Sequence, residues 1–232
     1  TKDWYSRGYL CPSGYPGSNI FPVDIERTNR QSTPTDQVRQ EVLATIQNYT
    51  SPKYPCLEIG PGDGEWTHYL VAGDPLYIVD IQDEFLQSTL SKFPEQYQRR
   101  VRPYRLEIEN CFDLSPVPQN QFGFIFSWNV FDYFPATETK KYLESCFNTL
   151  RPGGHMVFSY NNCNFIEGAN YAESGSKSWM TEELLLSICT AIGFELEKSY
   201  ASHQSWMCIK KPGELTTVKS HQALGEIVNQ TS

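Results

Sequence analysis

The sequence predicts a doubly wound α/β domain, with a mostly parallel seven-stranded sheet, helices on both faces and a terminal antiparallel hairpin. Three observations carry this expectation. From residue 34 onward, short apolar runs alternate with amphipathic stretches, as in a parallel sheet covered on both faces. The turn Gly60-Pro61-Gly62-Asp63-Gly64 follows the first apolar run directly. The last two runs are four residues apart, too close for a helical crossover, so they pair as a hairpin.

Residues 1–33 scatter Trp4, Tyr5, Tyr9, Tyr15 and Phe21 among Pro, Gly and Ser without helical or strand period. They read as an arm, either packed on the domain or lying over its site. The domain proper is expected over 34–211 and a tail over 212–232. Its first helix starts at Pro34 and Asp36, capped by Ser32 or Thr33, with Val38, Val42, Leu43 and Ile46 on one face. Strands are predicted at 56–59, 76–80, 104–108, 122–128, 155–160, 194–200 and 205–210. Helices are predicted at 65–72, 83–93, 137–150 and 181–192, the third stopped by Pro152-Gly153-Gly154. The stretch 161–178 reads as a long Gly/Ser-rich loop.

With 39% hydrophobic and 14% aromatic residues among 232, the chain can bury a substantial core. A net charge of −8 disfavours nucleic acid as a partner. The seven cysteines (11, 56, 111, 146, 163, 189, 208) form no C-x-x-C pair, so neither a metal site nor a disulfide framework is expected. No apolar run approaches the ~20 residues of a membrane span. A cytoplasmic monomer or homodimer is the expectation.

The glycine turn allows a ligand to approach the backbone closely, and Asp80, twenty residues after Gly60, stands where a carboxylate can accept from both hydroxyls of a ribose. The G-x-G-x-G spacing differs from the dinucleotide pattern, and Glu58 with Asp63 would repel a pyrophosphate. They suit a cationic ligand, which disfavours an NAD-dependent oxidoreductase.

The run Leu57-Glu58-Ile59-Gly60-Pro61-Gly62-Asp63-Gly64-Glu65-Trp66-Thr67 resembles the first motif of class I S-adenosylmethionine-dependent methyltransferases. The stretches 79–86, 121–135 and 150–154 resemble, in the same order, their second motif, fourth-strand segment and fifth-strand turn. The resemblance implies S-adenosylmethionine as cofactor. Glu58, Gly60, Gly62, Asp63 and Gly64 would hold its methionine portion, Asp80 its ribose, and Ile81, Asn110 and Cys111 its adenine. Ser127 and Trp128 would border the methyl group.

Four residues are candidates for the transfer step. Asp132 and Tyr133 follow the fourth strand, where many small-molecule members carry a histidine; they would orient an acceptor, or Tyr133 would simply pack. Asn161, with Asn162 and Asn164, would recognise a polyhydroxylated or amide-bearing acceptor, or would serve the turn. His203, in the hairpin turn, is the best placed of the four histidines; His68 and His155 read as structural. The expected activity is methyl transfer to a hydroxyl or amine of a small-molecule or glycan-like acceptor. The alternative is a silent cofactor-binding scaffold of the same fold.

Overall fold

The apolar runs join into one seven-stranded sheet in a computed structural model that describes residues 34–215. Its strands are β1 Cys56–Ile59, β2 Leu76–Asp80, β3 Val101–Arg105, β4 Phe122–Ser127, β5 Leu150–Ser159, β6 Glu195–Tyr200 and β7 Trp206–Lys210. Their order is β3-β2-β1-β4-β5-β7-β6. The first five run parallel, and β7 lies antiparallel to both β5 and β6. The winding direction reverses between β1 and β4. Open α/β sheets bind their ligands outside the carboxyl ends of the strands at such a reversal.

The helices are α1 Asp36–Tyr49, α2 Asp83–Ser91, α3 Glu95–Gln98, α4 Ala136–Thr149, α5 Ile166–Glu173 and α6 Glu182–Ile192. Strand alternation splits the core in two. Leu57 and Ile59 of β1 join the layer that holds Leu143 and Cys146 of α4 and Leu185 and Ile188 of α6. Cys56 of β1 joins Phe124 and Phe126 of β4 beneath Val38, Val42 and Ile46 of α1. Each such side chain contributes about 1.5–3 kcal/mol on full burial.

Several local expectations are corrected. Helix α1 is capped by Thr35, whose hydroxyl accepts from the Val38 N–H at 3.4 Å; Ser32 and Thr33 lie outside the described residues. The helix expected at 65–72 is only a 3-10 turn, Thr67–Leu70, with Tyr69 N bonded to Trp66 O and Gly73 N to Leu70 O. The chain is still turning at Gly64 and breaks at Gly73, which leaves no room for α-helical rings. The third strand comes three residues earlier than expected. It is an edge strand with only Val101 buried, so no apolar alternation marks it, and its Pro103 is tolerated there. The Pro-Gly-Gly turn lies inside β5, where the register against β4 shifts between Phe122 and Phe124. The supposed loop 161–178 contains α5. The arm over 1–33 and the tail beyond 215 fall outside the described residues.

Candidate active site

The carboxyl ends of β1 and β2 form the first half of the site. Gly60 takes φ +68°, and its N–H bonds Val79 O at 2.9 Å, so the turn starts directly off the β1–β2 ladder. A side chain there would collide with Val130 Cγ2. Gly62, at φ +55°, faces open space, which leaves its backbone approachable. Thr89 of α2 braces the turn by donating to Gly62 O at 3.1 Å. Asp63 points outward and pairs with Lys92 at 3.7 Å, so the acidic character facing a ligand rests on Glu58 rather than on both residues.

Glu58 is 2% exposed. Burial pushes its carboxyl up to about 8, and the Asp80 charge adds to the rise. The Thr67 hydroxyl opposes the shift, although no hydrogen bond of ordinary geometry completes the pair. Asp80 is pushed up to about 6 by burial, against backbone N–H donors from Gln82 (2.9 Å) and Ile81. Both carboxyls bind protons more tightly in the folded chain than in the unfolded one. The unfolded state therefore holds fewer protons, and stability falls as pH rises. Thermal unfolding of the ligand-free protein should show a steady loss of stability from pH 5 to pH 8, the interval between the ordinary and shifted Glu58 values. Glu58→Gln should flatten that slope; an unchanged slope would contradict the assignment.

Among the other predicted cofactor residues, Ile81 packs at the edge of the core. Ser127 is buried and donates to Ile59 O at 3.1 Å, which ties β4 to β1 at the site. Trp128 is 8% exposed and lies beside Trp66. Cys111 is buried, whereas Asn110 is exposed in a 3-10 turn and donates from Nδ2 to Asp113 at 3.0 Å, leaving its oxygen to accept.

The second half of the site lies beyond β4 and β5. Asp132 is 3% exposed. One of its oxygens is 3.3 Å from Ser159 Oγ and the other 3.5 Å from Lys177 Nζ. The Asn129 N–H donates to Ser159 Oγ at 2.7 Å, which leaves the hydroxyl proton for Asp132. The segment carrying Lys177 is bolted down: Ser178 N donates to Asp132 O and Ser178 Oγ to Tyr133 O. Asn161 completes the clamp, its Nδ2 donating to Gly168 O at 2.9 Å and Ser178 O at 3.0 Å. Asn162 and Asn164 are likewise committed, to Tyr160 and Ser205 and to Glu183 respectively. Through these bonds the three amides tie the segment after β5 to its surroundings. Tyr133 is buried at 4% exposure. His203 is exposed in the hairpin turn, on the site's edge because Trp206 pairs with the end of β5 at Ser159. His155 is buried against Tyr49, and burial pushes it down to about 4. Ser159 and Lys177 were not singled out from sequence. Lys177 comes to Asp132 only through the folded insert, and nothing local marks it.

Residues 57–156 match the family model of a methyltransferase domain. No curated protein matches the chain by sequence. Solved structures share its fold: an S-adenosylmethionine-dependent methyltransferase from Mesorhizobium loti has TM-score 0.59 at 13% identity, covering 74% of this chain and 96% of its own. One from Methanosarcina mazei has TM-score 0.57 at 17% identity, covering 73% and 98%. The cyclase SpnF has TM-score 0.61 at 13% identity, covering 78% and 84%. Such identities speak for the fold alone, and the family match covers the segment from β1 into β5. Residues 57–156 carry the match to a methyltransferase domain, within a fold that these S-adenosylmethionine-dependent methyltransferases share.

Proposed function

We propose that the protein transfers a methyl group to a hydroxyl or amine of a small molecule that enters beyond the carboxyl ends of β4 and β5. The cofactor supplies a methyl activated on a sulfonium, and the protein's task is alignment, exclusion of water and handling of one proton. The open backbone at Gly62 and the buried Glu58 carboxyl fit that cofactor's amino-acid end.

The observation that carries the proposal is Asp132, buried between Ser159 and Lys177 at the end of β4. A carboxylate fixed from two sides is suited to accept the acceptor's proton or to orient its N–H or O–H. Lys177 and Ser159 are positioning residues that keep the carboxylate in one rotamer. Asn161 positions the segment that bears Lys177. The amides on which a glycan-like acceptor would depend donate from Nδ2 within the chain, so the proposal is built on Asp132 instead.

Transfer of labelled methyl from S-adenosylmethionine to a panel of small amines and alcohols tests this reading. Asp132→Asn should lower kcat by about 10²–10⁴-fold on whichever acceptor responds. Its affinity for S-adenosylhomocysteine should stay at the wild-type value. Full activity in the variant would remove Asp132 from the reaction. Cofactor binding without transfer to any acceptor would favour the silent scaffold.

A further inference from the structure

Of the four large hydrophobic residues that are exposed among the described residues, the two most open belong to one short insert. Ile166, at 69% exposure, starts α5, and Trp179, at 59%, follows the turn that carries Lys177. Asn161 ties the two ends of the insert together, since its Nδ2 donates to Gly168 O at 2.9 Å and to Ser178 O at 3.0 Å. Phe165 and Tyr171 between them are only half-buried. A single exposed apolar side chain is ordinary, but two such large ones on one insert, with half-buried rings beside them, mark a contact surface.

The chain enters the described domain beside this surface. Thr35 N donates to Gln204 Oε1 at 2.8 Å, in the turn between β6 and β7. The next residue, Ser205, accepts from Asn162 Nδ2 at 3.1 Å, and Asn162 O accepts from Phe165 N. Residues 1–33 therefore join the domain next to the start of the insert. Their densest apolar run, Ile20-Phe21-Pro22-Val23-Asp24-Ile25, lies ten to fifteen residues before Thr35. An extended chain of that length reaches up to roughly 50 Å, ample to cross from Thr35 to α5. Charge is complementary too. Residues 1–33 hold four of the 19 basic and three of the 27 acidic residues, with Arg27 and Arg30 next to the run. The rest of the chain is strongly acidic, and Glu167 and Glu173 are exposed on α5.

We propose that residues 20–25 dock on the surface formed by Ile166 and Trp179, burying Phe21 against the exposed indole. The surface adjoins the Asp132–Lys177 pair, because Ser178 N donates to Asp132 O, so the docked segment borders the path to Asp132. The contact stands on packing and charge, and it does not depend on the methyl-transfer reading.

Hydrogen exchange of the full chain, read by mass spectrometry, reports both sides of the contact. Amides in 20–25 should be protected in the wild type. Ile166→Ser with Trp179→Ser should raise exchange in 20–25 by about tenfold or more, the equilibrium effect of removing large buried apolar side chains. Phe21→Ser should raise exchange around Trp179 in return. Exchange in 20–25 at the rate of an unstructured peptide overturns the proposal, as does protection that neither set of substitutions changes. Protection that rises with protein concentration also overturns it, by identifying a second copy of the chain as the occupant. Should the insert variant fail to fold, Phe21→Ser still decides, since residue 21 lies outside the described domain.

Discussion

Asp80→Ala should leave S-adenosylhomocysteine binding about 10²–10⁴-fold weaker, the loss of two hydrogen bonds from a ribose diol to a charged group at about 1.5–3 kcal/mol each. The carboxylate suits that task by position and by charge. It ends β2 beside the glycine turn, and backbone donors at Gln82 and Ile81 fix its orientation before any ligand arrives. Burial raises its pKa only to about 6, so it is ionised above neutral pH. Asp80→Asn keeps one acceptor oxygen and should lose less, on the order of tenfold, the value of a single charge-assisted bond. Titration calorimetry at pH 7.5 measures both. An Asp80→Ala constant within threefold of wild type would mean that the ribose lies elsewhere.

Gly60→Ala should damage both halves of the site at once. An alanine at φ +68° costs about 1–2 kcal/mol in the left-handed region. Its methyl also meets Val130 Cγ2, and the backbone cannot retreat without breaking the Gly60–Val79 bond. Overpacking adds about 1–3 kcal/mol, so a fall in Tm of roughly 5–15 °C is expected. Val130 sits between Asn129, which sets Ser159, and Phe131, so its displacement carries into the Asp132 cluster. Val130→Ala in the same chain should restore part of the lost stability, because it removes the clash and leaves only the strained φ. Gly62→Ala is the control. It faces open space, so it should weaken cofactor binding while changing Tm much less. Similar melting of the two glycine variants would contradict the packing argument.

The central strands were legible because they are buried on both faces and read as unbroken apolar runs, as at Phe122–Ser127. The hairpin was legible from loop length alone. Edge strand β3 was not, since Arg102, Pro103 and Arg105 carry no apolar period and only pairing with β2 defines them. The turn after Gly64 misled because Trp66, Thr67 and Leu70 fall at a helical spacing, while closure at Gly73 tightens the backbone to 3-10. The positions of Glu58 in β1 and Asp80 at the end of β2, beside the glycine turn, were legible from their offsets to the glycines. The Lys177–Asp132 pair was not, because it joins residues 45 apart in the sequence through the folded insert.

The position of β7 between β5 and β6 has a consequence for how the molecule is made. β5 is an interior strand, with Met156, Val157 and Phe158 fully buried, and its second neighbour comes last in chain order among the described strands. Until residues 206–210 have been synthesised, the nascent sheet presents an open, apolar edge of the kind that recruits strands from other chains. β6 emerges earlier but, among the described strands, pairs only with β7, and its Glu195, Glu197 and Lys198 make it a charged border for the sheet. The five residues of β7 therefore close the interior edge of β5 and join the charged strand β6 to the sheet.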